Sequence, residues 1–131
     1  MSYTGTRSAS GNLVDNAHFF SGATGAVTAG QVLQEITVAH DGRIGGIVAN
    51  GATAGTGAGN TVLDVQINGV SIYTGVTANR PTLAATSTGL FSNGNPATRE
   101  LKKGSVLTVV ALSISTTGHA RISGEVCIEF E

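Results

Sequence analysis

The stretch from Val62 to Tyr73, V-L-D-V-Q-I-N-G-V-S-I-Y, constrains what this chain can fold into more than any other. Leu63, Val65 and Ile67 alternate with Asp64, Gln66 and Asn68, the period of a half-buried strand. Asn68-Gly69 then supplies a two-residue turn of the kind that needs positive φ at both centres. That loop sets Ile67 against Val70 and Val65 against Ile72, so one face stays apolar across both strands. Cross-strand pairs of this β-branched type contribute a few tenths of a kcal/mol to about 1 kcal/mol each. The rest of the chain reads as strands added to this hairpin, and the predicted class is all-β.

With 131 residues, the chain suits one domain that buries roughly two-thirds of its unfolded surface. Cys127 is the single cysteine, which excludes an internal disulfide and a thiolate metal cluster. The opening residues lack the basic and apolar regions of a signal peptide, and no apolar run reaches membrane-spanning length. Folding in a cytoplasm is therefore expected. Asp, Glu, Lys and Arg make up only 11% of the chain, against roughly 25% in ordinary soluble domains, and the net charge is −1. Nothing in that balance attracts nucleic acid or a membrane, and small net charge permits association. Such a composition fits a subunit whose surface is occupied by neighbours.

Residues 1–29 are dominated by Gly, Ser, Thr, Ala and Asn and show neither period, so an extended N-terminal arm is expected, followed by a domain over residues 30–131. Leu13, Val14, His18, Phe19 and Phe20 interrupt the arm. They can pack back on the chain's own sheet or anchor on another subunit, where aromatic residues are favoured. Gln31 to His40 alternates as a strand and meets a turn at Asp41-Gly42. Arg43 to Asn50 continues as a strand, with Gly45-Gly46 marking a bulge or close backbone approach. Gly51 to Asn60 reads as a small-residue loop. In the long connection from Thr74 to Lys103, one short strand is predicted near Thr82 to Thr86, and an exposed excursion from Phe91 to Pro96. Ser105 to Ser113 is apolar on both sides and predicts a strand covered on both faces. From His119 the chain alternates again, with Ala120, Ile122, Gly124, Val126, Ile128 and Phe130 inward. Short strands separated by turn signals predict an antiparallel β-sandwich.

No constellation for chemistry stands out. His40-Asp41 is the one adjacent His/acid pair, and a predicted turn already explains it. His18, His40 and His119 lack metal-ligand spacing, no calcium loop pattern is present around the aspartates, and no catalytic, cofactor or metal residue is expected. Gly55-Thr56-Gly57-Ala58-Gly59-Asn60 lacks the Lys-Ser/Thr ending of a phosphate loop and leads into a strand. Cys127 falls on the polar side of the last strand.

Three segments resemble the small β-sandwich proteins of tailed-bacteriophage virions: G-Q-V-L-Q-E-I-T-V-A-H-D-G-R-I-G-G-I-V-A, L-D-V-Q-I-N-G-V-S-I-Y followed by R-P-T-L, and L-K-K-G-S-V-L-T-V-V before the closing strand. The likeness covers roughly residues 30 to 131, and Ser105 departs from the Asp that related patterns often carry. The resemblance implies a capsid decoration or cement protein, jelly-roll-like and homotrimeric, bound to the major capsid protein on the outside of the virion head. Leu13, Val14, His18, Phe19, Phe20 and Phe91 would then supply the interface. The competing reading is a receptor- or glycan-binding module of a head fibre or tail, using the Phe91 to Pro96 excursion.

Overall fold

The computed structural model describes residues 6–7, 13–21 and 25–130. In chain order its strands are β1 (Thr6–Arg7), β2 (Leu13–Phe20), β3 (Gln31–Thr37), β4 (Gly42–Thr53), β5 (Asn60–Ile67), β6 (Val70–Ser71), β7 (Thr82–Ala84), β8 (Gly89–Leu90), β9 (Glu100–Leu101), β10 (Val106–Ser113) and β11 (Ala120–Phe130). A 3-10 turn spans Thr77–Asn79. Among the described residues the strands form two antiparallel sheets, packed face to face. One runs β1-β2-β11-β4-β8 with β9 also on β4; the other runs β3-β10-β5-β6 with β7 also on β5. The expected all-β antiparallel sandwich is what the chain forms.

The hairpin forms as its sequence requires. Asn68 and Gly69 take φ of 52° and 81°, and Ile67 pairs with Val70. Leu63, Val65 and Ile72 are buried, and β10 lies along the other side of β5 with Val109 opposite Val65 and Ala111 opposite Leu63. The core sits between the sheets. Leu107, Val109 and Ala111 meet Ile44, Ile122, Val126 and Ile128 there, with Leu33, Val38 and Leu101. The inward alternation of the last strand holds from Ile122 to Phe130. Gly45-Gly46 is a bulge, since the β11–β4 register shifts between Val126, opposite Ile47, and Ile128, opposite Ile44.

Four expectations change. Residues 13–20 do not extend away as an arm; they form β2, paired along their length with β11. Ala17 and Phe19 point into the core, and the Phe19 ring occupies the space a side chain at Gly124 would need. Period two was hidden because the inward positions include Asp15 and small Ala17. Residues 1–5, 8–12 and 22–24 of the expected arm lie outside the described residues. Secondly, Phe91 is buried against His119 rather than leading an exposed excursion; within the expected excursion Ser92 to Asn95 are exposed and Pro96 is half-buried. Thirdly, the second face of β10 is covered only in part: Val110 is buried there, but its partner Val32 on β3 and Leu112 further along remain exposed. Fourthly, Asp41-Gly42 joins strands of different sheets, and β4 runs on to Thr53 through what read as loop.

The outer edge of β4 is closed by side chains. Among the described residues its backbone partners are β9 opposite Gly42 and Arg43, with Arg99 O accepting from Ile44 N, and β8 opposite Asn50 and Gly51, with Phe91 N donating to Ala49 O. Between them Arg99 donates to the carbonyls of Ile44 and Gly45, and Asn93 Nδ2 donates to Ile47 O at 3.0 Å. Unpaired strand edges invite association with other chains, and here the excursion from Ser92 to Arg99 covers one.

Candidate surface for association

The outward face of the six-stranded sheet gathers residues from three long strands and one short one. Register places Phe20, Ser123, Asn50 and Leu90 side by side across β2, β11, β4 and β8. The next row on that face is His18, Glu125 and Val48. Phe20 is 60% exposed, Val48 56% and Leu90 68%. Single exposed apolar residues are ordinary, whereas apolar residues brought together on one flat face mark an interaction surface. Between Phe20 and Val48 the face dips into a shallow groove of about 520 Å³, lined also by His18, Asn50, Ser123 and Glu125. Its titratable members are His18 and Glu125, 3.2 Å apart and both solvent-exposed.

Toward the opposite end the same face becomes charged. Glu129, Arg43 and Glu100 lie side by side across β11, β4 and β9, and Lys102 pairs with Glu100 at 2.7 Å. Cys127 lies midway, half-buried, with its Sγ packed against Gly45 at the bulge.

The six residues expected at an interface are divided by the fold. Val14, His18 and Phe20 share the outward face of β2, Val14 half-buried and the other two exposed. Phe19 and Phe91 belong to the core. Leu13 opens β2 opposite Phe130, and its side chain is outside the described residues. The rest of the surface, Val48, Asn50, Leu90, Ser123 and Glu125, went unrecognised. Leu90 was visible as one of the few bulky apolar residues in its segment, but only strand pairing brings it into the same row as Phe20.

Asp64, His119 and Tyr73 are buried in the fold. Asp64 alternates outward in the hairpin yet is buried, because Ser71 Oγ donates to Oδ1 at 2.6 Å, Arg80 Nε at 3.1 Å, and Gln66 Nε2 to Oδ2 at 3.2 Å. This ties the hairpin to the segment that follows it. A buried carboxylate needs such pairing, since its desolvation cost is several kcal/mol. Buried His119 is likewise occupied: its Nε2 donates to Ser87 O at 2.9 Å, and its Nδ1 lies 2.7 Å from Thr61 Oγ1. A carbonyl only accepts, so Nε2 carries a proton. Tyr73 is buried with its hydroxyl unpartnered among the described residues. Burial, and then the Asp64 charge, push its pKa up to about 12, with Arg99 and Arg80 opposing. No group of three His, Cys, Asp or Glu among the described residues is placed to hold a metal ion.

Comparison with known proteins returned no matching family model, no matching curated protein and no matching solved structure.

Proposed function

We propose that this chain is a structural virion protein, a decoration or cement subunit that binds the outside of a phage head as a homotrimer and stabilises capsomer boundaries. The observation that carries the reading is the outward face with Phe20, Val48 and Leu90 exposed on one sheet. The phage assignment and the trimer rest on the sequence resemblance, and the low charge of the surface agrees with them. A jelly-roll connectivity is supported by the strand order, in which β2, β4 and β11 lie in one sheet while β3, β5 and β10 lie in the other. The chain crosses between sheets from β2 to β3, β3 to β4, β4 to β5, β7 to β8, β9 to β10 and β10 to β11.

Such a protein acts through contact area. Interfaces of about 800 Å² per partner are ordinary for specific association, and a trimer that engages several capsomers at once gains avidity from tethering. Cyclic symmetry suits a three-fold position on a shell. The glycan-binding alternative loses support, because Phe91 and Tyr73, the aromatic residues nearest its loop, are both buried. The deciding experiment combines sedimentation of the purified chain with binding to empty, expanded phage heads. A trimer that coats the heads is the expected result. A stable monomer that leaves them bare overturns the proposal.

A further inference from the structure

The sequence contains three Asn-Gly pairs, at 50–51, 68–69 and 93–94. An asparagine before glycine can lose its amide without any enzyme. The glycine nitrogen attacks Cγ, the side-chain nitrogen leaves as ammonia and takes the glycine amide proton, and a cyclic imide closes. Water then opens that ring at either carbonyl, leaving aspartate or isoaspartate. The fold treats the three pairs differently.

Asn50 and Gly51 are held in ladders on both sides, by Ser123 and Ile122 on β11 and by Leu90 and Gly89 on β8. A doubly paired backbone cannot turn the glycine nitrogen onto the side chain. At 93–94 the nucleophile and the leaving group are both engaged. Gly94 N donates to Asn79 O at 2.9 Å, Asn93 Nδ2 donates to Ile47 O at 3.0 Å, and Asn79 crowds Gly94.

Asn68-Gly69 is the opposite case. Both residues are exposed at the hairpin tip, and Gly69 has open space around its α-carbon. The Gly69 N–H and the Asn68 Nδ2 have no hydrogen-bond partner among the described residues. Asn68 Oδ1, by contrast, accepts from Val106 N at 2.9 Å. A backbone N–H only donates, so that contact identifies the carboxamide oxygen. The same donor faces the atom on which negative charge develops when Cγ is attacked, as in an oxyanion hole.

We propose that Asn68 is the deamidation site of the folded protein, with the Val106 N–H polarising the carbonyl under attack. Each conversion to aspartate adds a negative charge to a chain whose net charge is −1. Isoaspartate additionally routes the main chain through an extra methylene, in a two-residue loop whose flanking pair, Ile67 and Val70, leaves no slack.

The test is incubation of the folded full chain at mildly alkaline pH, followed by peptide mapping that separates amide, aspartate and isoaspartate at each site. The urea-unfolded chain serves as control. In the unfolded chain all three sites convert at similar rates. In the folded chain Asn68 converts several-fold faster than Asn93, and Asn50 stays an amide. Retention of the Asn68 amide in the folded chain, or conversion at Asn93 or Asn50 as fast as at Asn68, overturns the proposal.

Discussion

Tyr73 buries its hydroxyl with no hydrogen-bond partner among the described residues. An unsatisfied buried polar atom costs about 1–3 kcal/mol. Tyr73→Phe removes that atom and keeps the ring, so its expected effect on urea-measured stability is neutral or a gain of about 1 kcal/mol. The same residue sets an alkaline limit. Its folded pKa of about 12 exceeds the unfolded 10.0, so between those values the unfolded chain has released a proton that the folded chain still holds. Stability therefore falls as pH rises through that window, with Tyr73 contributing a loss on the order of 2–3 kcal/mol. Denaturation curves from pH 9 upward, about one unit below that window, should show the decline in the parent and a shallower one in Tyr73→Phe. Equal slopes would mean that the hydroxyl is solvated.

Among the elements, β2 and the seam beside it matter most. Gln34 bridges the two sheets there: its Nε2 donates to His18 O at 2.8 Å, and its Oε1 accepts from Glu35 N at 3.2 Å. Both bonds are solvent-accessible, so Gln34→Ala should cost only about 1 kcal/mol. Hydrogen exchange should accelerate at Glu35, whose amide loses its acceptor, and along β3. Removing β2 is another matter. A chain lacking residues 1–20 loses Ala17 and Phe19 and uncovers one side of β11. Deleting a buried Phe alone costs about 3–5 kcal/mol, against a total stability of about 5–15 kcal/mol. Circular dichroism of that deletion should show lost strand signal and a collapsed thermal transition. An intact, cooperatively melting domain would return residues 13–20 to the status of a dispensable arm.

For the molecule as a whole, the outward face should separate assembly from folding. Phe20→Ser with Leu90→Ser changes two exposed side chains, and surface substitutions of this kind usually stay within about 0.5 kcal/mol of parent stability. The expected outcome is an unchanged melting transition with a shift from trimer toward monomer, or lost occupancy on heads, in sedimentation. Retained assembly would move the interface elsewhere, toward Val32 and Leu112 on the other sheet.

The sequence alone determined what depends on neighbours along the chain. The hairpin turn, the alternation of the last strand and the all-β class all follow from period two and from the few residues that tolerate positive φ. The tertiary structure decided what depends on partners far away in sequence. Phe19 is core and Phe20 is surface because β2 pairs with β11, more than a hundred positions later. Phe91 turns inward because His119 and the space over Gly51 receive it. Leu90 shares a row with Phe20 only through the register of the two strands between them. Local propensity is a property of a few consecutive residues, but the face a side chain presents is set by the register of a strand it never neighbours in the chain.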